Sequence, residues 1–188
     1  KGRSEDDLAY GREEREYYNT LLSERPNGHF GETVARNFLH DAFLYHLYSA
    51  LRKSKDELIA AHAAKSLKEV TYHLRHSSEW MVRLGDGTEK SHNKIQEALN
   101  DLWEYTGDLF EMNEVDELLI NEGIAVDLNE VKKNWDNTVN QVLSRATLVR
   151  PKDEYMHSGR LEAIHSEYLG HIIAEMQFLH RAYPDAKW

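Results

Sequence analysis

From Phe30 to about Arg52 the chain runs without a proline or strand-type alternation, and its apolar side chains fall on almost every side of a helix. Phe30, Val34, Phe38, Ala42 and Tyr45 make one stripe, and Leu39, Phe43, Leu47 and Ala50 make another. A helix that is apolar all round has to be enclosed by other elements. Those elements read as further helices. Three Pro and ten Gly in 188 residues are too few for a loop-rich or all-β chain, and no repeat of fixed period is present.

The spacing predicts a helix over about Asp56 to Leu84, with Ile59, Ala63, Leu67, Val70, Leu74 and Met81 inward and Gly85-Asp86-Gly87 as its stop. Another is expected from Glu89 to Phe110, carrying Ile95, Leu99, Leu102, Trp103 and Leu109. A short helix and a connector containing Gly123 fill Glu111 to Asp127, and a helix with Trp135, Val139, Val142 and Leu143 runs from Leu128 to Ala146. Pro151 to Gly159 reads as a loop. The last helix is placed at Leu161 to Ala182, before Pro184, with Leu161, His165, Tyr168, Leu169, Ile172, Met176 and Leu179 on its core face. Its other side, with Glu167, His171 and Phe178, hints at a partner surface. Upstream, Arg12 to Arg25 is helical in composition and ends at the turn Pro26-Asn27-Gly28. The expected fold is an all-α bundle forming one domain over residues 1–188. Because the first residue is Lys1 and not Met, a preceding segment is expected.

Composition removes several function classes. A net charge of −10 and a pI near 5.5 argue against a nucleic-acid binder, which needs a basic footprint. No apolar run approaches the length of a membrane span, so no membrane partner is expected. With no Cys there are no disulfides, thiolate nucleophiles or iron–sulfur ligands, and a cytoplasmic location is the default. Glycine-rich phosphate loops and a nucleophile elbow are also missing.

Bundles build dimetal sites from inward carboxylates and Glu-x-x-His, because residues three apart share a helical face. That motif occurs at Glu89/His92, Glu154/His157 and Glu162/His165. With 21 Glu and 11 His, chance gives about one match, so the count is weak. Position says more. Asp41 lies in the apolar arc of its helix, where an unpaired carboxylate is costly. Glu69 and His73 share a face of the next helix with His62 and Trp80, and Glu69 follows Asp41 by one hairpin length. The spacing is nevertheless wrong for a half-site, since His73 is four residues on and Tyr72 takes the third place, with Lys68 alongside. A buried Asp–His or Glu–His hydrogen-bonded pair is the simplest reading. His165 likewise reads first as a satisfied core histidine.

Several segments resemble one family as a set. They are Arg25-Pro26-Asn27-Gly28-His29-Phe30 with Thr33-Val34-Ala35-Arg36, Lys68 through Arg75, Glu122 through Asp127, and His165-Ser166-Glu167-Tyr168-Leu169-Gly170. Ala174-Glu175-Met176-Gln177, Arg181, Pro184 and Trp188 extend the match. The family is that of the C subunits of phenylacetyl-CoA epoxidase, in phenylacetate degradation. The resemblance implies a ferritin-like bundle, with one or two N-terminal helices of the family missing from this chain. It further implies a structural partner, in a hetero-oligomer, of a catalytic diiron subunit and of the other subunits. The holoenzyme adds one oxygen atom of dioxygen across the aromatic ring of phenylacetyl-CoA, with electrons from NADPH through a reductase. No cofactor and no catalytic residue is then expected in this chain. Asp41, Lys68, Glu69, Tyr72 and His73 would be a degenerate metal site, and His165 and Glu167 a tail motif. A lysine ammonium there could stand in for a cation beside buried carboxylates. Two other readings stay open. One is an autonomous dimetal oxidase or oxygenase using Asp41, Glu69, His73, Glu162 and His165, and the other is a helical interaction module outside this pathway.

Overall fold

The computed structural model describes residues 2–183. Among them are eight α-helices and no strand. They are α1 (Glu5–Ala9), α2 (Leu21–Glu24), α3 (Phe30–Leu51), α4 (Glu57–Gly85), α5 (Glu89–Trp103), α6 (Glu114–Asn121), α7 (Leu128–Arg145) and α8 (Glu167–Ala182). The expected all-α bundle is therefore present. Pro184 and Trp188 of the tail lie outside the described residues.

Local signals fix most helix ends. Asn27-Gly28 turns the chain with Gly28 at φ 54°, in the left-handed region that a glycine tolerates. His29 then caps α3, its Nδ1 accepting from Glu32 N while Glu32 accepts from His29 N. Asp56 caps α4 by accepting from the amides of Leu58 and Ile59 at 2.9 and 3.0 Å. At the far end of α4, a Cβ on Gly85 would stand 2.2 Å from the carbonyl oxygen of Ala146. Only glycine lets the end of α7 approach that closely.

The long hairpin α3–α4 carries α5 and α7 against it. Phe38, Leu39, Ala42, Met81, Ile95, Leu99, Val139 and Leu143 are fully buried between these four helices. Trp135 of α7 is sealed into the same core, where its indole N–H donates to the Leu39 carbonyl at 2.9 Å. Its ring meets Phe110 and Trp103 at centroid distances of 5.3 and 5.6 Å. Among the described residues no helix is long and apolar enough to cross a membrane.

Several expectations need correction. Arg12 to Arg25 is not one helix. A 3-10 turn at Glu14–Glu16 ends in extended backbone at Tyr17, and only Leu21–Glu24 is helical. Side chains there compete for the backbone, because Glu16 accepts from Glu13 N and Tyr17 O is taken by His165. The predicted helix to Phe110 tightens to 3-10 geometry after Trp103. The last helix starts at Glu167, not Leu161, because Ala163 sits at φ 52° and breaks the winding. Its buried stripe is Leu169, Ile173 and Gln177, and the expected core residues Ile172, Met176 and Leu179 are exposed. Phe30 and Ile59 also prove exposed, Phe30 lying edge-on against Trp80 at 5.0 Å.

Candidate functional site

Asp41 on α3 is half-buried, as its place in the apolar arc requires. Its partner is Ser77 of α4, with Oγ 2.8 Å from Oδ2. That hydroxyl also lies 3.0 and 3.3 Å from the helix carbonyls of His73 and Leu74. It has one proton to give, and the nearer, charged acceptor takes it. Burial pushes the Asp41 carboxyl above the usual carboxylate range, while the Ser77 hydrogen bond and the imidazoles of His73 and His76 pull the other way.

Lys68, Glu69, Tyr72 and His73 are all exposed on α4. Ser77 lies eight residues, about 12 Å of helix, beyond Glu69, so α4 meets Asp41 two turns past the predicted pairing. The expected Asp–His or Glu–His pair is thus an Asp–Ser pair here. Tyr72 stacks on His76 at 6.3 Å, and Trp80 Nε1 donates to His76 Nε2 at 3.2 Å. Among the described residues, no three of His, Asp or Glu converge to hold a metal ion. A dimetal centre does not fit this donor set, which has one carboxylate satisfied by a hydroxyl and another facing outward.

The tail histidine is buried for a different reason from the one expected. His165 lies on the link before α8, and its side chain and that of Glu24 are each 1% exposed. The imidazole Nδ1 is 2.7 Å from Glu24 Oε1, and Nε2 is 3.0 Å from the Tyr17 carbonyl. A ring nitrogen facing a carbonyl must donate, so one further proton is shared between Nδ1 and the carboxylate. Glu24 also accepts from Asn19 Nδ2, Ser166 N and Ser166 Oγ, each at 2.7 Å. One carboxylate thereby joins α2, the extended arm before it and the start of α8. Glu162 and Glu167 are exposed and take no part.

The three Glu-x-x-His matches dissolve in the same way. The left-handed Ala163 separates Glu162 from His165. His92 Nδ1 pairs with the Gly85 carbonyl at 2.7 Å, and His157 stacks on Tyr105 at 4.5 Å with Glu104 3.5 Å from its Nε2.

Sequence reasoning overlooked two buried acids, Glu24 and Asp108. Asp108 is fully buried, with Oδ2 accepting from Leu21 N at 2.8 Å and Oδ1 unpaired. Burial pushes its carboxyl up to about 6, against the pull of the Leu21 hydrogen bond. Its setting, Leu109-Phe110, is the one signal in the sequence that marked it. Nothing local marks Glu24, which stands before Arg25-Pro26.

Fold and geometry define a class: an all-α bundle in which acidic and histidine side chains at inward positions serve as hydrogen-bonded struts. Residues 1–188 match the family described as phenylacetic acid catabolic protein, and the chain belongs to that family. It is 43% identical over 184 residues to the C subunit of 1,2-phenylacetyl-CoA epoxidase from Escherichia coli strain K12, an alignment covering 98% of this chain and 74% of that protein.

Proposed function

We propose that this chain is a non-catalytic structural subunit of a multicomponent phenylacetyl-CoA 1,2-epoxidase, bracing a separate subunit that carries the diiron centre. The observation that supports this best is the pairing of Asp41 with Ser77 while Lys68, Glu69, Tyr72 and His73 point outward. The likeness to an epoxidase C subunit agrees with it. In this reading the chain performs no redox step. Its carboxylates and imidazoles hold helices, and its contribution to epoxidation is the shape it offers the iron subunit. The exposed side of α8, with Met176, Phe178 and Leu179 at 43, 66 and 52% exposure, is the surface we assign to that subunit.

Iron per chain, measured on full-length protein purified alone from iron-supplemented cells, tests the reading. Near zero is expected, with iron recovered when the iron subunit is co-expressed. Two irons per chain, lost in Glu69→Ala, would establish an autonomous dimetal enzyme instead. Phe178→Asp is expected to reduce capture of the iron subunit without changing the helical signal.

A further inference from the structure

The segment Arg25-Pro26-Asn27-Gly28 forms a turn whose role the bundle alone does not explain. Arg36 of α3 reaches back under it, donating Nη1 to the Arg25 carbonyl and Nη2 to Asn27 Oδ1, the latter at 2.6 Å. The Arg25 guanidinium carbon lies over two rings, 4.4 Å from the centroid of Tyr105 and 5.2 Å from that of Tyr168. Both arginines line an open pocket of about 360 Å³, together with Tyr168, His171 and Ile172.

The charge balance there is one-sided. Among the described residues no carboxylate lies within 4 Å of either guanidinium. The one acid lining the pocket, Glu24, is saturated by His165, Ser166 and Asn19. Arg25 Nε is buried with no partner, and burial lowers the Arg36 guanidinium from its ordinary value. Asn27 has its oxygen taken by Arg36, so its amide hydrogens remain to donate. Two arginines, an amide donor and an exposed imidazole thus line one pocket in a chain of net charge −10. Planar guanidinium forks, Arg25 held over the rings and Arg36 held by the turn, match a multi-oxygen anion, and two of them favour a dianion over a single carboxylate.

We propose that this pocket binds a phosphate monoester, with the phosphate between Arg25 and Arg36 and the organic body against Tyr168 and Ile172. The site stands apart from the structural role above, and its test reads binding to the purified full chain with no partner present. Calorimetric titration at fixed ionic strength with phenyl phosphate, inorganic phosphate and benzoate separates the contributions. Saturable one-to-one binding of phenyl phosphate is expected, several-fold tighter than inorganic phosphate and at least tenfold tighter than benzoate. Arg25→Gln is expected to weaken phenyl phosphate at least tenfold with the helical signal retained, and His171→Gln several-fold. Arg36 also braces the turn, so Arg25 is the deciding position. No saturable binding, equal binding of benzoate, or undiminished binding in a folded Arg25→Gln protein would each overturn the proposal.

Discussion

Truncating Glu24 to Ala tests whether one buried carboxylate holds the start of the C-terminal helix α8 to the rest. The side chain accepts four hydrogen bonds, from Asn19, His165 and twice from Ser166, and both it and His165 are sealed from water. Removing it strands the Nδ1 side of His165, an amide, a hydroxyl and a carboxamide with no acceptor. Breaking a buried pair by deleting one partner costs about 3–5 kcal/mol. At a urea sensitivity of about 2 kcal/mol per molar, the unfolding midpoint should fall by roughly 2 M. Far-UV circular dichroism in urea at pH 7 reads that fall. Hydrogen exchange at Leu169 and Ile173, the buried stripe of α8, should accelerate in parallel. In a double-mutant cycle with His165→Ala, the two losses should fall well short of adding, since each removes the same bond. A midpoint shift below about 0.5 M with unchanged exchange in α8 would refute the reasoning. Glu24 would then be an acid whose bonds are replaced by water without loss.

Asp108 supplies a pH dependence. Its native carboxyl holds a proton up to about pH 6, whereas an unfolded Asp releases it near 4. The native state is therefore favoured at low pH, and that stability is lost as pH rises from about 4 through 6, by on the order of 3 kcal/mol. Asp108→Asn keeps an acceptor for Leu21 N and should flatten this stretch of a melting-temperature–pH curve; an unchanged slope would count against the assignment. Ser77→Ala leaves half-buried Asp41 without its donor and should cost about 1–3 kcal/mol in urea unfolding, with no change in bound iron. Gly85→Ala forces a methyl against the Ala146 carbonyl and should cost about 1–3 kcal/mol, where an exposed helix glycine would gain from the same change.

How far the fold could be read from the sequence follows the range of the forces involved. Helices α3, α4, α5 and α7 begin at caps and bury stripes that their own residues specify, so each is legible locally. Misplaced segments are those whose conformation is set from a distance. Tyr17 to Thr20 is extended and Leu161 to Ser166 fails to join α8 because both are recruited to Glu24, 141 residues away from His165 in sequence. No window of local periodicity contains that contact.

The same distinction governs the candidate site. Glu-x-x-His has meaning for a metal only where a continuous helix carries both residues, and at Glu162/His165 a left-handed alanine interrupts it. At Asp41 the sequence marks an inward acid correctly but leaves its partner open. Helix-to-helix register decides that, and two turns of α4 turn a prospective ligand pair into an aspartate held by a serine. An acid at such a position takes whatever donor the register delivers. Here that donor is the Ser77 hydroxyl, and the carboxylate it holds is a strut between α3 and α4.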